Sequence, residues 1–164
     1  MDLTKIKNIL TKRFGDTCIV DEELQGLQPA LIVHADFLLD ICKELRQNKE
    51  TWFDFLSCIS AIDYGPNEGF GVVYHLASIP HKTQLTLKVK LDDLRDESIL
   101  PSIDSVSSVW RTADWHEREA YDLVGVFFNG HPDLRRILLP DDWKGYPLRR
   151  DYQDAESYHG IPIN

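Results

Sequence analysis

Cysteine is scarce in this chain, and its three copies are scattered. Cys18, Cys42 and Cys58 are too far apart for a Cys-x-x-Cys metal or cluster motif. An odd count in an intracellular chain points instead to reduced, buried thiols. Long apolar runs are missing too: Phe127-Phe128 and the interrupted Phe53 to Ile62 segment fall far short of a membrane span. The opening Met1-Asp2-Leu3-Thr4-Lys5 lacks the apolar stretch of a signal peptide and the Arg-rich, acid-poor character of a transit peptide. The chain is therefore expected to stay in the cytosol, where it can still dock on something membrane-bound.

Basic charge is also in short supply. Eighteen Lys and Arg against 27 Asp and Glu give a net charge of -9, which argues against a general nucleic-acid binder. No Gly-x-Ser-x-Gly, phosphate-cradling glycine loop, dinucleotide fingerprint or internal repeat occurs. With 43% apolar and 27% charged residues, the composition is that of a folded globular chain rather than a disordered one. Its 164 residues suit one domain with an appended arm.

Leu3, Ile6, Leu10 and Phe14 recur at helical spacing and are followed by Gly15, a stop. Ala30 to Val33 reads as a short strand, and Asp36 to Gln47 as a second amphipathic helix. Trp52 to Tyr64 contains a strand. A hairpin is the clearest local feature: Phe70, Val72, Tyr74 and Leu76 alternate, then Leu85, Leu87, Val89 and Leu91 do so beyond the turn-like Pro80-His81-Lys82-Thr83. Thr86, Lys88 and Lys90 are expected on a solvated face. These elements predict an α+β fold, a mostly antiparallel sheet packed with helices over residues 1–128.

Trp110 to Gly125 returns to helix, with Thr112 as the expected N-cap, Gly125 past the last turn, and Trp115, Leu123 and Val124 able to face the core. It holds His116-Glu117-Arg118-Glu119. The helical zinc motif would require a second His four residues after the first, and that position is Ala120. His116, Glu117, Glu119 and His131 could form a metal site only if a loop folded back, which the spacing does not enforce. Glu117 and Glu119 point apart, wrong for paired carboxylate catalysis. The remaining readings are a solvated face, with Arg118 and Asp122 as an i,i+4 pair, and an anchor for the segment beyond the helix.

From Asn129 onward the chain holds four of its eight prolines, interleaving Trp143, Tyr146, Tyr152 and Tyr158 with Arg135-Arg136 and Arg149-Arg150. No helical or strand period covers residues 129–164. They read as an extended C-terminal arm burying aromatics and arginines against a partner. Because all the periodic apolar residues lie upstream, removal of 141–164 is expected to leave the α+β domain folded.

EREAYDLVGVFFNGHPDLRRIL (from Glu117) and DDWKGYPLRRDY (from Asp141), with AIDYG, FGVVYHLAS and VWRTADWHERE upstream, carry a resemblance. The chain resembles the thirty-kilodalton subunit family of respiratory complex I, the bacterial proton-translocating NADH–quinone oxidoreductase. Relatives commonly read Pro-Leu-Arg-Lys-Asp where this chain has Arg150, which keeps charge but alters hydrogen-bond geometry. The resemblance implies a non-catalytic subunit with no cofactor of its own, although the parent complex uses NADH, flavin, iron–sulfur clusters and quinone. It also implies a place in the peripheral arm, on the cytoplasmic side of the bacterial inner membrane, reached through the complex only. The partner implied is the subunit that forms the quinone cavity, with other peripheral-arm subunits. The implied structural and partner-binding motif is Glu117, Arg118, Glu119, Asp122, His131, Arg135, Arg136, Trp143, Pro147, Arg149, Arg150 and Asp151. An equivalent subunit of a membrane-bound, energy-conserving hydrogenase is the alternative of the same lineage; a stand-alone metal hydrolase is the alternative from another class.

Overall fold

The computed structural model describes residues 2–25, 28–96 and 98–162. Helix α1 (Leu3–Phe14) buries Ile6 and Leu10, one turn apart, and ends where Gly15 takes φ 85°. Strands β1 (Ile19–Glu23) and β2 (Ala30–Val33) pair antiparallel. A single 3-10 turn then leads into α2 (Leu38–Gln47), whose Leu38, Ile41, Cys42 and Leu45 are buried. Strands β3 (Phe55–Gly65), β4 (Gly69–Ser78) and β5 (Thr83–Leu91) form an antiparallel meander.

The sheet order is β1-β2-β5-β4-β3, so β3 is one edge, and β2 beside β5 is its parallel pairing. One face carries Phe70, Val72, Tyr74 and Leu76 of β4, with Leu85, Leu87 and Val89 of β5. These belong to a single buried cluster with the apolar stripes of all three helices. Such complete burial stabilises by roughly 1.5–3 kcal/mol for each large side chain. The predicted alternation and the α+β class are thus borne out, with the helices on one side of a mixed but mainly antiparallel sheet. The opposite face is less open than its polar residues suggested. Thr86 is buried, because Gln28 folds over it and accepts its hydroxyl at 3.2 Å.

Helix α3 (Ala113–Val124) follows strand β6 (Ser102–Asp104) and precedes strand β7 (Phe127–Asn129), which pairs parallel with β6. Its inward stripe is Ala113, Glu117, Ala120 and Val124, all buried. Trp115, two positions off that stripe, is 62% exposed, contrary to the sequence reading, and Leu123 is only partly buried. Thr112 does not cap the helix; its hydroxyl donates to the Leu56 carbonyl at 3.4 Å. No helix among the described residues is long and apolar enough to cross a membrane.

Beyond β7 regular structure stops, apart from a two-residue pair, β8 (Ser157–Tyr158) and β9 (Ile161–Pro162). Residues 134–152 nonetheless fold back on α3. Tyr146 and Arg149 are 8% and 7% exposed within this one chain. The packing does not divide at residue 128: part of the segment read as an arm lies on its own domain, through Tyr146 and Arg149.

Candidate functional site

Glu117 sits in the middle of an apolar helix stripe and is fully buried. A carboxyl there must be satisfied. Its Oε2 accepts from the Ser105 hydroxyl at 2.5 Å and its Oε1 from the Val106 N–H at 2.7 Å, tying α3 to the segment after β6. Ser105 is fixed in turn, accepting from the Ser107 N–H at 3.1 Å. Burial outweighs these bonds and pushes the Glu117 carboxyl up to about 7. The buried Tyr74 hydroxyl and Cys42 thiol are pushed up as well, first by burial and then by the nearby Glu117 charge.

The His131 ring is fully enclosed beside this carboxylate. Its Nδ1 accepts from the Asp133 N–H at 3.0 Å, which places the ring proton on Nε2, donating to the Asp114 carbonyl at 3.1 Å. Both ring nitrogens are therefore committed to backbone. His116 lies elsewhere, where α3 borders residues 58–61 of β3. Arg118 does not pair with Asp122 as the i,i+4 spacing suggested. Its Nη2 lies 2.6 Å from Asp114 and 3.3 Å from Asp133, with the Trp115 ring over the guanidinium at 5.1 Å.

Asp122 is fully buried and turned toward the arm. Its Oδ2 accepts from three consecutive backbone N–H groups, Ile137 (2.9 Å), Leu138 (2.7 Å) and Leu139 (3.0 Å). Its Oδ1 accepts from Arg136 Nη1 at 2.8 Å. Burial alone would raise its pKa, but these bonds to the charged form outweigh it and hold the carboxyl below the ordinary range. Arg136 also donates to the carbonyls of Asp122 (3.0 Å) and Gly145 (2.9 Å) and stacks on Tyr146.

The C-terminus of α3 is closed by Arg149. Its Nε donates to the Val124 carbonyl at 2.7 Å and its Nη2 to Gly125 at 3.2 Å, placing a cation at the negative end of the helix. The rings of Tyr146 and Phe70 lie 4.6 and 5.0 Å from the guanidinium carbon. Gly125 is required here twice over. It has φ 76°, and a Cβ would come within 2.7 Å of both Tyr146 and Arg149.

A second ionic centre joins arm to sheet. Asp63, buried on β3, receives a bidentate pair from Arg95 (2.7 and 2.9 Å) and the N–H groups of Gly65 and Arg150, both at 2.8 Å. The Arg95 bonds chiefly drive its carboxyl far below the usual range. Arg150 Nε also donates to the Asp63 carbonyl at 3.0 Å, and Asp151 lies 3.3 Å from Arg95.

The other motif residues are more peripheral. Trp143 donates to the Tyr152 hydroxyl at 3.2 Å and packs on Tyr158. Pro147 is partly buried between Tyr146 and Leu148. Exposed Arg135 pairs with Asp133 at 3.1 Å. Glu119 is exposed and has neither a hydrogen bond nor an ion pair among the described residues.

Of the carboxylates on α3, Asp122 alone meets an arginine from residues 135–150 among the described residues, through Arg136; Arg149 takes carbonyls and Arg150 takes Asp63. Asp63, Arg95 and Ser105 were missed. Asp63 left one trace, the sole carboxylate from Phe55 to Tyr64 in the β-favouring run. Chemically the arrangement is a clasp. Asp63, Asp122, Arg136 and Arg149 are engaged by backbone and by one another, fixing parts of residues 136–150 against α3 and β3.

Comparison with known proteins agrees with this arrangement of elements. Residues 31–158 match the family described as respiratory-chain NADH dehydrogenase, 30 Kd subunit. The chain is 43% identical to the NADH-quinone oxidoreductase subunit designated C of Geobacter sulfurreducens, with 92% of each chain covered. It is 38% identical to the like-named subunit of Chlorobium phaeobacteroides, over 95% of this chain and 92% of the relative. The like-named subunit of Chloroherpeton thalassium is 44% identical over 94% of this chain, which spans 62% of that longer relative. A solved chain from the membrane-bound sulfane sulfur reductase, an archaeal respiratory membrane complex, superposes with a TM-score of 0.71. That match has 25% identity and covers 92% of this chain and 84% of the other. The chain belongs to the family of 30 kDa subunits of respiratory-chain NADH dehydrogenase.

Proposed function

We propose that this chain is a structural and assembly subunit of the peripheral arm of a proton-translocating NADH:quinone oxidoreductase. In this reading it supports electron transfer from NADH to quinone without holding a redox group, metal or quinone of its own. Its partner is the subunit that forms the quinone cavity, and it sits at the cytoplasmic side of the membrane through the complex alone. The observation that carries the reading is the engagement of Asp122 with three successive arm amides and Arg136. Polar groups spent in this way build a rigid surface rather than a reaction centre. The identities of 38–44% to NADH-quinone oxidoreductase subunits support the NADH-linked assignment.

The test is recovery of a tagged chain from detergent-solubilised membranes, together with NADH:quinone activity of membranes lacking it. Co-purification of the other peripheral-arm subunits, and loss of activity on deletion, are expected. Recovery of the chain alone, with activity unchanged on its deletion, would sink the reading. A second reading, the equivalent subunit of an energy-conserving hydrogenase or related complex, is favoured by the fold shared with a sulfane sulfur reductase chain. Paired Cys-x-x-Cys nickel ligands in the co-purifying partner would mark the hydrogenase.

A further inference from the structure

Arg149 is a buried cation without an ion pair among the described residues. Its Nε and Nη2 are taken by the two carbonyls at the end of α3. Its Nη1 has only the Arg95 carbonyl, at 3.5 Å, longer than a usual hydrogen bond. The neighbouring carboxylates of Asp63 and Asp151 sit on Arg95 instead, at 2.7 and 3.3 Å, with Asp93 there too at 2.6 Å. Arg149 and Arg95 line a recess of about 280 Å³ together with Lys144, Tyr146, Asp151 and Tyr152. Lys144 is exposed and has neither a hydrogen bond nor an ion pair among the described residues.

A buried charge without a counter-ion is costly, and the two rings beside Arg149 offset only part of that cost. Burial, above all, holds the guanidinium below the ordinary arginine value. The recess is smaller than the roughly 300–1,000 Å³ of small-molecule sites, which are also mostly apolar. Here half of the lining residues are charged, so a cofactor fits poorly. With Arg95 already satisfied, Arg149 and Lys144 are the cations still to be met. Two positive charges beside Asp151 suit a singly charged carboxylate better than a phosphate group, which approaches two negative charges. A carboxylate also accepts from guanidinium and ammonium groups at once, in bonds stronger than neutral ones.

We propose that this recess takes the carboxylate of an Asp or Glu from a neighbouring subunit, held between Arg149 and Lys144. The proposal rests on the reading that the chain is an assembly subunit.

The test uses the full-length tagged chain and the assembly it recovers from solubilised membranes. A water-soluble carbodiimide joins an amine to a carboxylate only where the two touch. It should couple Lys144 to an Asp or Glu of another subunit, as mapped by mass spectrometry. Lys144→Glu should lower partner subunits per tag by about tenfold or more, because like charges then face each other. Lys144→Gln should lower them less, and the distant Lys12→Glu should leave them unchanged. The melting temperature of the isolated chain should be the same for wild type and all three variants. Lys144 uncoupled or coupled only within its own chain, or wild-type partner yield from Lys144→Glu, overturns the recess proposal alone. If Lys144 stays uncoupled while inorganic phosphate shifts the Arg149 Nε–H resonance of the isolated chain, the ligand is a free anion and the side-chain occupant is refuted. A wild-type chain that recovers no partner overturns the assembly reading and this proposal together.

Discussion

Asp122 and Leu138, sixteen residues apart, meet through a 2.7 Å hydrogen bond from the Leu138 amide to the buried carboxylate. The flanking amides of Ile137 and Leu139 point at the same oxygen, so one side chain sets the path by which the chain leaves the domain. Asp122→Ala should therefore strip three amides and Arg136 of their acceptor at once. A cost of about 3–5 kcal/mol is expected, as for breaking a buried charge pair. Asn keeps one acceptor oxygen and should cost less. Urea unfolding of the two variants measures both, and a loss below about 1 kcal/mol for Ala would mean that the clasp is not cooperative with the core.

Glu117 makes stability depend on pH in the opposite sense to Asp63 and Asp122. Its carboxyl is raised from 4.5 to about 7 by burial, so the native state holds a proton that the unfolded chain releases across that window. The stability it contributes is fully present below about pH 4.5 and is lost as pH rises through 7, on the order of 3 kcal/mol in all. Asp63 and Asp122 are lowered; their contribution is present above the ordinary carboxylate pKa and lost as pH falls below it. Glu117→Gln should flatten the decline between pH 5 and 8. Denaturant midpoints at those two values are the check, and an unchanged slope in the variant would refute the assignment.

Arg149→Lys tests whether the closure of α3 depends on a planar fork. The guanidinium reaches the Val124 and Gly125 carbonyls together while lying near two aromatic rings. An ammonium on a flexible stem cannot reproduce both contacts. A loss of about 1.5–3 kcal/mol is expected, in the range of hydrogen bonds from charged groups. Thermal unfolding at matched ionic strength reads it.

What the sequence disclosed was local. Phe70, Val72, Tyr74 and Leu76 announce a strand and its buried face, because alternation is set by the backbone and needs no knowledge of the partner. The Ile6–Leu10 and Ile41–Leu45 spacings do the same for helices. The parallel pairing of β2 with β5 was not readable, since its register depends on chain segments far apart in sequence. Partner choice in the clasp was hidden for the same reason. Nothing in the spacing tells that Asp122 takes amides sixteen residues on, that Arg118 turns to Asp114, or that Arg95, set in a run of acidic residues, is the one that neutralises Asp63. Trp115 was misplaced because hydrophobicity was read as burial, whereas large apolar side chains also mark surfaces meant for another molecule.

Truncation separates the part of the arm that the domain needs from the part it does not. Beyond Tyr152 the described residues are exposed, apart from the partly covered Tyr158. Ending the chain after Tyr152 should therefore leave the cooperative melt within about 0.5 kcal/mol of wild type, as for surface changes generally. Ending it after Pro140 removes Tyr146, the Arg149 closure of α3 and the Arg150 amide on Asp63. An uncovered aromatic site at about 1.5–3 kcal/mol and lost charged hydrogen bonds at about 1.5–3 kcal/mol together approach the whole stability of a small domain. The shorter chain should accordingly melt early or without cooperativity. Circular dichroism melts of the two truncations decide the matter, and a cooperative, near-native melt after removal of 141–164 would show that the domain is complete without its arm.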